Sequence, residues 1–355
     1  MKTIYFYGIA NNIGGMECYA LQLIKNVLEK TSDYKFHIIT EYEDFAFKNE
    51  FSKLNCDISI VPNSKKHPIR FKKKFLEILS FRKDGDFLQL NLMSYRNVFL
   101  LYAVKKASIK TIVVGHSINT KNKLGKLEHV LFRSFYKKIG DKRIGANKNV
   151  TKYMFGNNET KCEIIPIGIE PEQFAFDFEK RQEIRKQLNI NDNDFALGNV
   201  GRISKEKNQL FLCKVMKKLK NYPEFRLFLY GKDNFPKVSK YIKKHKLCNV
   251  KLMGEVKNTT EVYNSFDLFL FPSLFESSGL ALYEALANGC TSLISNRIPL
   301  DGIESKHLFA EKLNVDKWVN FILNLKNHEI NHTQKNILPT VENEIDKYLN
   351  LYKEI

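Results

Sequence analysis

FDLFLFPSLFESSGLALYEALANGC, residues 266–290, is the stretch that decides the fold. Leu268-Phe269-Leu270-Phe271 is a short apolar run closed by Pro272, the pattern of a strand buried on both faces of a parallel sheet. Ser273 to Ser278 reads as loop. Gly279 to Asn288 carries helix formers on a largely apolar surface, and Gly289 stands where helices take a left-handed residue. In an open parallel sheet, ligands bind beyond the carboxyl ends of the strands. The free amides of Ser278, Gly279 and Leu280 would face that crevice, and a helix start of this kind attracts phosphate. Glu276 and Glu284 flank the helix start. Glu284 lies among Leu280, Ala281, Leu282, Ala285 and Leu286, where a carboxylate needs partners; a polar ligand would supply them. The plainer reading makes Glu276 a solvated loop acid and Glu284 part of an exposed helix stripe.

Working outward, strand-like runs alternate with helix-like segments. They are Thr3 to Tyr7, Phe36 to Thr40, Ile58 to Val61, Phe87 to Leu90, Thr111 to Val114, Phe195 to Val200, Arg226 to Tyr230, Val250 to Met253, Leu268 to Phe271 and Thr291 to Ile294. The pattern predicts an α/β chain with two doubly wound, Rossmann-like sheets. The break falls after KCEIIPIGIEPEQF, where Ile164-Ile165 runs into Pro166, Gly168 and Pro171. The expected domains are 1–168 and 169–337, with 338–355 as a C-terminal amphipathic helix packing back toward the first. A chain of 355 residues, 43% hydrophobic and 12% aromatic, can fill two cores.

No window approaches the roughly 20 uncharged apolar residues of a membrane span. The start, MKTIYFYGIANNIGG, lacks a signal peptide's apolar core, so a cytoplasmic location is expected. Cys18, Cys56, Cys162, Cys213, Cys248 and Cys290 are scattered without a C-x-x-C pair, which indicates neither a zinc site nor a disulfide framework. The net charge of +18 is concentrated: residues 61–152 hold 22 Lys or Arg against 5 Asp or Glu, a local balance of +17. Lys65-Lys66, Arg70, Lys72 to Lys74, Lys105-Lys106 and the alternating KNKLGKLEHVLFRSFYKK of residues 121–138 make a surface that seeks anions. An acidic membrane face or a lipid-linked pyrophosphate fits it. Nucleic acid is not expected, because no recognition helix or aromatic-basic signature accompanies the charge.

Two further loops carry chemistry. After the first strand, GIANNIGGMECYALQLIKNVL places Gly14-Gly15 at a helix start, where backbone amides can approach a phosphate. The spacing is neither G-x-G-x-x-G nor a P-loop. After Leu197 to Val200, GRISKEKNQLFLCKVMKKL puts Arg202 and Lys207 at a strand's carboxyl edge, two cations suited to a diphosphate. Asp84-Gly85-Asp86 has the D-x-D form of a metal-nucleotide site, but D-G directly before a strand reads as a turn.

These landmarks together resemble the family-4 retaining glycosyltransferases of the GT-B fold. The matching segments are GGMECYALQLIKNVL, GHSIN, IIPIGIEPEQF, VGRISKEKNQ, LFLYGKDN, NVKLMGEV and FPSLFESSGLALYEALANG, in that order along the chain. The resemblance implies two Rossmann-like domains facing a central cleft. It implies that Arg202 and Lys207 hold the donor's diphosphate and that Glu284 accepts hydrogen bonds from the nucleotide ribose. Glu276 and the amides of Ser278, Gly279 and Leu280 would bind the donor sugar and its phosphate. Gly15 would sit near the phosphates, His116 beside the sugar at the reaction centre, and Gly231 and Val256 on loops lining the nucleobase pocket. At the junction the family's N-G is replaced by Ile167-Gly168, so no role passes to that position. Ser117-Ile118-Asn119 after the histidine is similar to the HSHN pattern of capsule and exopolysaccharide transferases, with Ile118 in place of the second histidine.

The implied activity is transfer with retention of a hexose or N-acetylhexosamine from a UDP-sugar to a lipid-linked glycan, without metal or other cofactor. The expected setting is the inner face of the cell membrane, in cell-surface polysaccharide synthesis. A sugar-nucleotide epimerase, a transferase with a small soluble acceptor, and a non-catalytic GT-B subunit that binds glycan or activates a partner are the competing expectations.

Overall fold

In the computed structural model, described for residues 1–118, 123–136, 139–156, 162–256, 258–326 and 336–355, the chain forms two compact units. One comprises Met1–Ile167 with Glu342–Ile355, the other Gly168–Val341. Asn119 and the ends of the basic stretch at 121–122 and 137–138 lie outside the described residues.

The first unit is built on seven parallel strands: β1 (Lys2–Tyr7), β2 (Tyr34–Thr40), β3 (Asp57–Ile60), β4 (Phe87–Leu92), β5 (Thr111–Gly115), β6 (Lys142–Gly145) and β7 (Cys162–Ile164). Their order is β3-β2-β1-β4-β5-β6-β7. The helices are α1 (Gly15–Lys30), α2 (Lys48–Lys53), α3 (Pro68–Ser80), α4 (Val98–Ala107), α5 (Lys123–Tyr136) and α6 (Lys148–Phe155). Because successive side chains leave a strand on opposite faces, Tyr5, Tyr7, Leu88, Leu90 and Val113 join Phe71, Phe75, Leu100 and Val104 in one core layer. The opposite face buries Ile4, Phe6, Phe36 and Phe87.

The second unit has six parallel strands: β8 (Phe195–Val200), β9 (Phe225–Tyr230), β10 (Val250–Gly254), β11 (Leu268–Phe271), β12 (Ser292–Ser295) and β13 (Leu308–Glu311). They run in the order β10-β9-β8-β11-β12-β13. Around them lie α7 (Phe178–Gln187), α8 (Gln209–Lys218), α9 (Lys237–His245), α10 (Leu280–Ala287) and α11 (Val315–Leu325). Alternation again makes two cores. Phe228, Phe269 and Phe271 pack with Leu282 and Leu286 on one side. Leu197, Leu227, Leu268 and Leu270 pack with Leu212, Met216, Trp318 and Ile322 on the other. The last helix, α12 (Val341–Lys353), joins the first unit from Glu342 onward.

Sequence reading listed ten of these strands and marked strand-like Ile164-Ile165 at the end of β7, but missed β6, whose first two residues are Lys142 and Arg143, and β13, which is four residues long between polar neighbours. In both sheets strand order reverses direction beside the first strand, between β1 and β4 and between β8 and β11. Those two points are where an open α/β sheet leaves a crevice for ligand.

Asp84-Gly85-Asp86 is structural. Gly85 turns with φ +83, and buried Asp86 accepts from the amides of Thr3 at 2.6 Å and Lys83 at 2.8 Å. Both carboxylate oxygens thereby hold the amino end of the sheet, opposite the edge where ligands bind.

Candidate active site

In the second unit the loops after β8 and β11 are stitched to each other. Leu274 N donates to the Glu206 carbonyl at 2.8 Å, and Asn208 Nδ2 donates to the Pro272 carbonyl at 3.1 Å. Lys207 Nζ meets Glu276 Oε1 at 2.8 Å and lies 5.2 Å from the centre of the Phe271 ring. Glu276 is buried and Lys207 half-buried, so this pair is screened less than a surface one. Arg202 is exposed on the same loop and makes no ion pair among the described residues.

Beneath the loop lies a residue that sequence reading passed over. Gln209, fully buried at the start of α8, donates from Nε2 to Asn199 Oδ1 at 3.2 Å and to the Arg202 carbonyl at 3.2 Å. Its Oε1 accepts from Ser204 N at 3.2 Å. One amide therefore fixes the backbone that carries Arg202 and Lys207. Its signal was a polar residue at the first position of an otherwise apolar helix face.

Helix α10 begins one residue later than expected, with Gly279 as its cap at φ +76, a conformation a side chain would strain. Gly289 takes φ +80 beyond its end, as the sequence predicts. The first amides of α10 have no acceptor within the helix and concentrate its positive end. Glu284 occupies the second turn. Burial pushes its carboxyl pKa up, opposed by the Tyr263 hydroxyl, by Lys207 and by Thr259. Tyr263 OH donates to Glu284 Oε2 at 2.5 Å. Sequence reading looked to a ligand for the partners of Glu284; within the protein Tyr263, 21 residues upstream, holds one of its oxygens.

Gly231 directly follows β9 with φ +139, where a Cβ would meet the Gly201 carbonyl oxygen at 2.3 Å. Its amide donates to Gly254 O at 2.7 Å. This close approach keeps the β8, β9 and β10 ends together. Val256 is half-buried and packs against the core layer that includes Leu282.

In the first unit, Gly14 caps α1 in extended backbone and Gly15 begins the helix with open space where a Cβ would stand. Buried Glu17 accepts from Ala10 N at 3.3 Å, bracing the glycine loop from inside. His116 directly follows β5. Its Nε2 lies 3.1 Å from Asn91 Oδ1 and its ring 4.8 Å from that of Tyr19. Burial lowers its pKa to about 3, so the imidazole is neutral at ordinary pH. A cavity of about 600 Å³ opens at the β1/β4 switch point, lined in part by Tyr7, Gly8, Asn91, Leu92, Arg96 and Glu128.

The second unit thus offers cations and a helix start for a diphosphate, with two carboxylates for hydroxyl groups. Residues 180–307 match the model of the family described as glycosyl transferases group 1. The chain carries a group 1 glycosyltransferase domain. That match spans β8 to β12 and includes every candidate residue of the second unit. The chain is 25% identical over 301 residues to the putative glycosyltransferase EpsF of Bacillus subtilis, covering 81% of this chain and 77% of that protein. It is 24% identical over 315 residues to the capsular polysaccharide biosynthesis glycosyltransferase CapH of Staphylococcus aureus, covering 83% and 81%. Among solved structures, Anabaena HepE in complex with UDP and glucose matches over 100% of both chains with a TM-score of 0.79 at 15% identity. The two parallel-sheet units are therefore those of the GT-B glycosyltransferase fold.

Proposed function

We propose that this protein is a retaining glycosyltransferase that moves a hexose or N-acetylhexosamine from a UDP-sugar to a lipid-linked glycan in cell-surface polysaccharide synthesis. The observation that carries the reading is the stitched pair of loops at the β8/β11 switch point, which bring Arg202, Lys207, Glu276 and the start of α10 together inside the group 1 domain. The names of EpsF and CapH and the UDP and glucose bound by HepE support the donor class and the setting.

In the proposed step the acceptor oxygen bonds to the anomeric carbon on the face from which the diphosphate leaves. The acceptor's proton passes to the departing phosphate oxygen. The barrier lies in the charge gathering on that phosphate, and pre-placed cations and amides lower it most. Arg202 is free to meet the diphosphate. Lys207 already pairs with Glu276, but an ammonium has three protons and can serve a carboxylate and a phosphate together. Glu276 would then hold sugar hydroxyls and Glu284 the ribose, with Tyr263 keeping the Glu284 carboxylate oriented. This account assigns neutralisation of the leaving group to the protein's own cations, with no metal.

The acceptor side rests on the first unit. Helix α5 turns Leu124, Leu127, Val130, Leu131 and Phe135 outward, all exposed, with Lys126 exposed beside them. A water-facing helix ordinarily carries charge there. An apolar face set within the basic 61–152 region suits an anionic bilayer, and Glu128 of α5 also lines the cavity beside Arg96. Among the described residues no helix is long and apolar enough to cross a membrane. The proposed place is therefore peripheral, on the inner face of the cell membrane.

The test is a donor screen by thermal shift followed by transfer to lipid-linked acceptors. Transfer by the purified protein, lost in Arg202→Ala and Glu276→Ala, is the expected result; transfer undiminished in both variants overturns the site. Flotation with anionic vesicles should fall on replacing Lys72 to Lys74 with Glu or Leu127 and Leu131 with Ser. Indifference to lipid charge overturns the membrane assignment.

A further inference from the structure

Strand β4 carries two amides, Gln89 and Asn91, on one face, and both are buried. A buried amide is tolerated only where its donors and acceptors are met, and here the partners dictate which way each one faces. Asn91 places one end 3.2 Å from the Tyr7 carbonyl. A carbonyl can only accept, so that end is Nδ2, and Oδ1 faces the other way, 3.1 Å from His116 Nε2. Oδ1 can only accept in turn. His116 Nε2 must therefore carry the proton, and in a neutral ring Nδ1 is then left as an acceptor. Nδ1 has no partner among the described residues.

The chain of contacts continues away from His116. Asn91 Oδ1 is also 3.5 Å from Gln89 Nε2, which lies 3.3 Å from the Tyr19 hydroxyl. Tyr352 OH donates to Gln89 Oε1 at 2.7 Å, and Tyr19 OH donates to Tyr348 OH at 2.6 Å. Turning the Gln89 amide over would bring two carbonyl oxygens to that 3.5 Å separation, so its orientation follows from Asn91, and the Tyr352 hydroxyl, able to donate or accept, answers with its proton. Tyr348 and Tyr352 are one turn apart on α12, both buried. The sequence separation between Tyr352 and Gln89 is 263 residues.

We propose that Asn91 is a positioning residue for the reaction centre: fixed by the Tyr7 carbonyl and backed by Gln89 and Tyr352, it locks His116 in the Nε2–H form and so presents Nδ1 as an acceptor for a sugar hydroxyl. The hydroxyl partner rests on the proposed transferase function, whereas the locked tautomer rests on the hydrogen-bond geometry alone. Tyr19, whose ring packs on the imidazole and whose hydroxyl joins the chain, restrains the same side chain from a second direction.

The tautomer can be read without substrate. In full-length protein labelled with ¹⁵N-histidine, long-range ¹H–¹⁵N correlations should show His116, assigned by its loss in His116→Asn, as a neutral Nε2–H ring from about pH 5.5 to 8. Asn91→Leu keeps the side-chain bulk and removes the acceptor that faces Nε2. It should mix the tautomers, and in a transfer assay lower kcat by about tenfold with KM for the donor within about twofold. Should Asn91→Leu fail to fold, Asn91→Asp supplies the second arm. A carboxylate facing Nε2 keeps that proton and should move the imidazolium transition up into the observable range. A wild-type Nδ1–H ring overturns the proposal. So does an Asn91→Leu protein with unchanged tautomer and kcat, or an Asn91→Asp protein whose ring does not respond. Absence of transfer with every donor, alongside the predicted tautomer pattern, would count against the proposed function and leave the lock standing.

Discussion

The two units share one plan, an open parallel sheet with a crevice beside its first strand, and they solve opposite electrostatic problems there. The second unit gathers charge: Lys207 on Glu276, Arg202 exposed nearby, and Glu284 held by Tyr263. The first unit surrounds His116 with neutral groups, Asn91, Gln89 and the hydroxyls of Tyr19, Tyr348 and Tyr352. Charge suits binding a diphosphate, where strength of attraction matters. A neutral chain suits holding one imidazole in one form, where geometry matters and a nearby charge would shift the ring's protonation.

The largest effects should therefore come from removing charge in the second unit. Arg202→Ala should lower kcat/KM by about a hundredfold to a thousandfold, the scale for one pre-placed stabiliser of transition-state charge. Stability should hardly change, because Arg202 is exposed. Gln209→Leu should behave differently. It strands the Asn199 oxygen and loop groups beneath Arg202, at about 1–3 kcal/mol for each buried group left unmet. Both the melting temperature and donor affinity should fall. An Arg202→Ala enzyme that keeps its rate would break the assignment of leaving-group stabilisation to this unit.

The contrast also explains what could be read from the sequence. The second unit's site was legible because its parts lie within short strand-loop-helix stretches, 201–209 and 271–289, where residue types at fixed spacing already imply chemistry. Tyr263 escaped, since nothing local marks a tyrosine as the partner of a glutamate one helix away. In the first unit His116 was legible by its place at a strand end. Its supports were not: Gln89 and Asn91 alternate with Leu88, Leu90 and Leu92, the pattern of a strand with one wet face, yet the face is covered by α1 and α12. A partner more than two hundred residues away leaves no local trace. The missed strands β6 and β13 have the same cause, being short and polar at an end, and held in place by their neighbours in the sheet.

Acid and base titrations sharpen the comparison at intermediate size. His116 has its pKa depressed to about 3 in the folded state. The unfolded chain takes up this proton near its ordinary value while the folded chain does not, so stability falls as pH drops from there toward 3. Glu284 runs the other way: its folded pKa is raised by burial. The folded state holds that proton more tightly, and stability is lost as pH rises from the ordinary carboxyl value through the folded one. Glu284→Gln should remove this second slope and match or exceed wild type in melting temperature at pH 7, while keeping an acceptor for Tyr263. Donor affinity should drop by about tenfold, the worth of a hydrogen bond to a charged group. A variant that loses stability at pH 7 and keeps donor affinity would make Glu284 structural.

The smallest effect tests what holds α12 to the first unit. Lys30 and Asp346 form an ion pair at 2.5 Å with both side chains substantially exposed. An exposed pair gives back most of its attraction to hydration and side-chain ordering, so Asp346→Asn should cost less than about 0.5 kcal/mol and leave His116 untouched. Tyr348→Phe removes the buried hydroxyl that accepts from Tyr19 OH, and should cost about 1–2 kcal/mol. Thermal melts of the two variants, at low and high salt, separate the cases: only Asp346→Asn should lose its effect in salt. A larger loss from Asp346→Asn than from Tyr348→Phe would mean that surface charge fixes this helix, and the neutral chain behind His116 would then be a passenger of the packing.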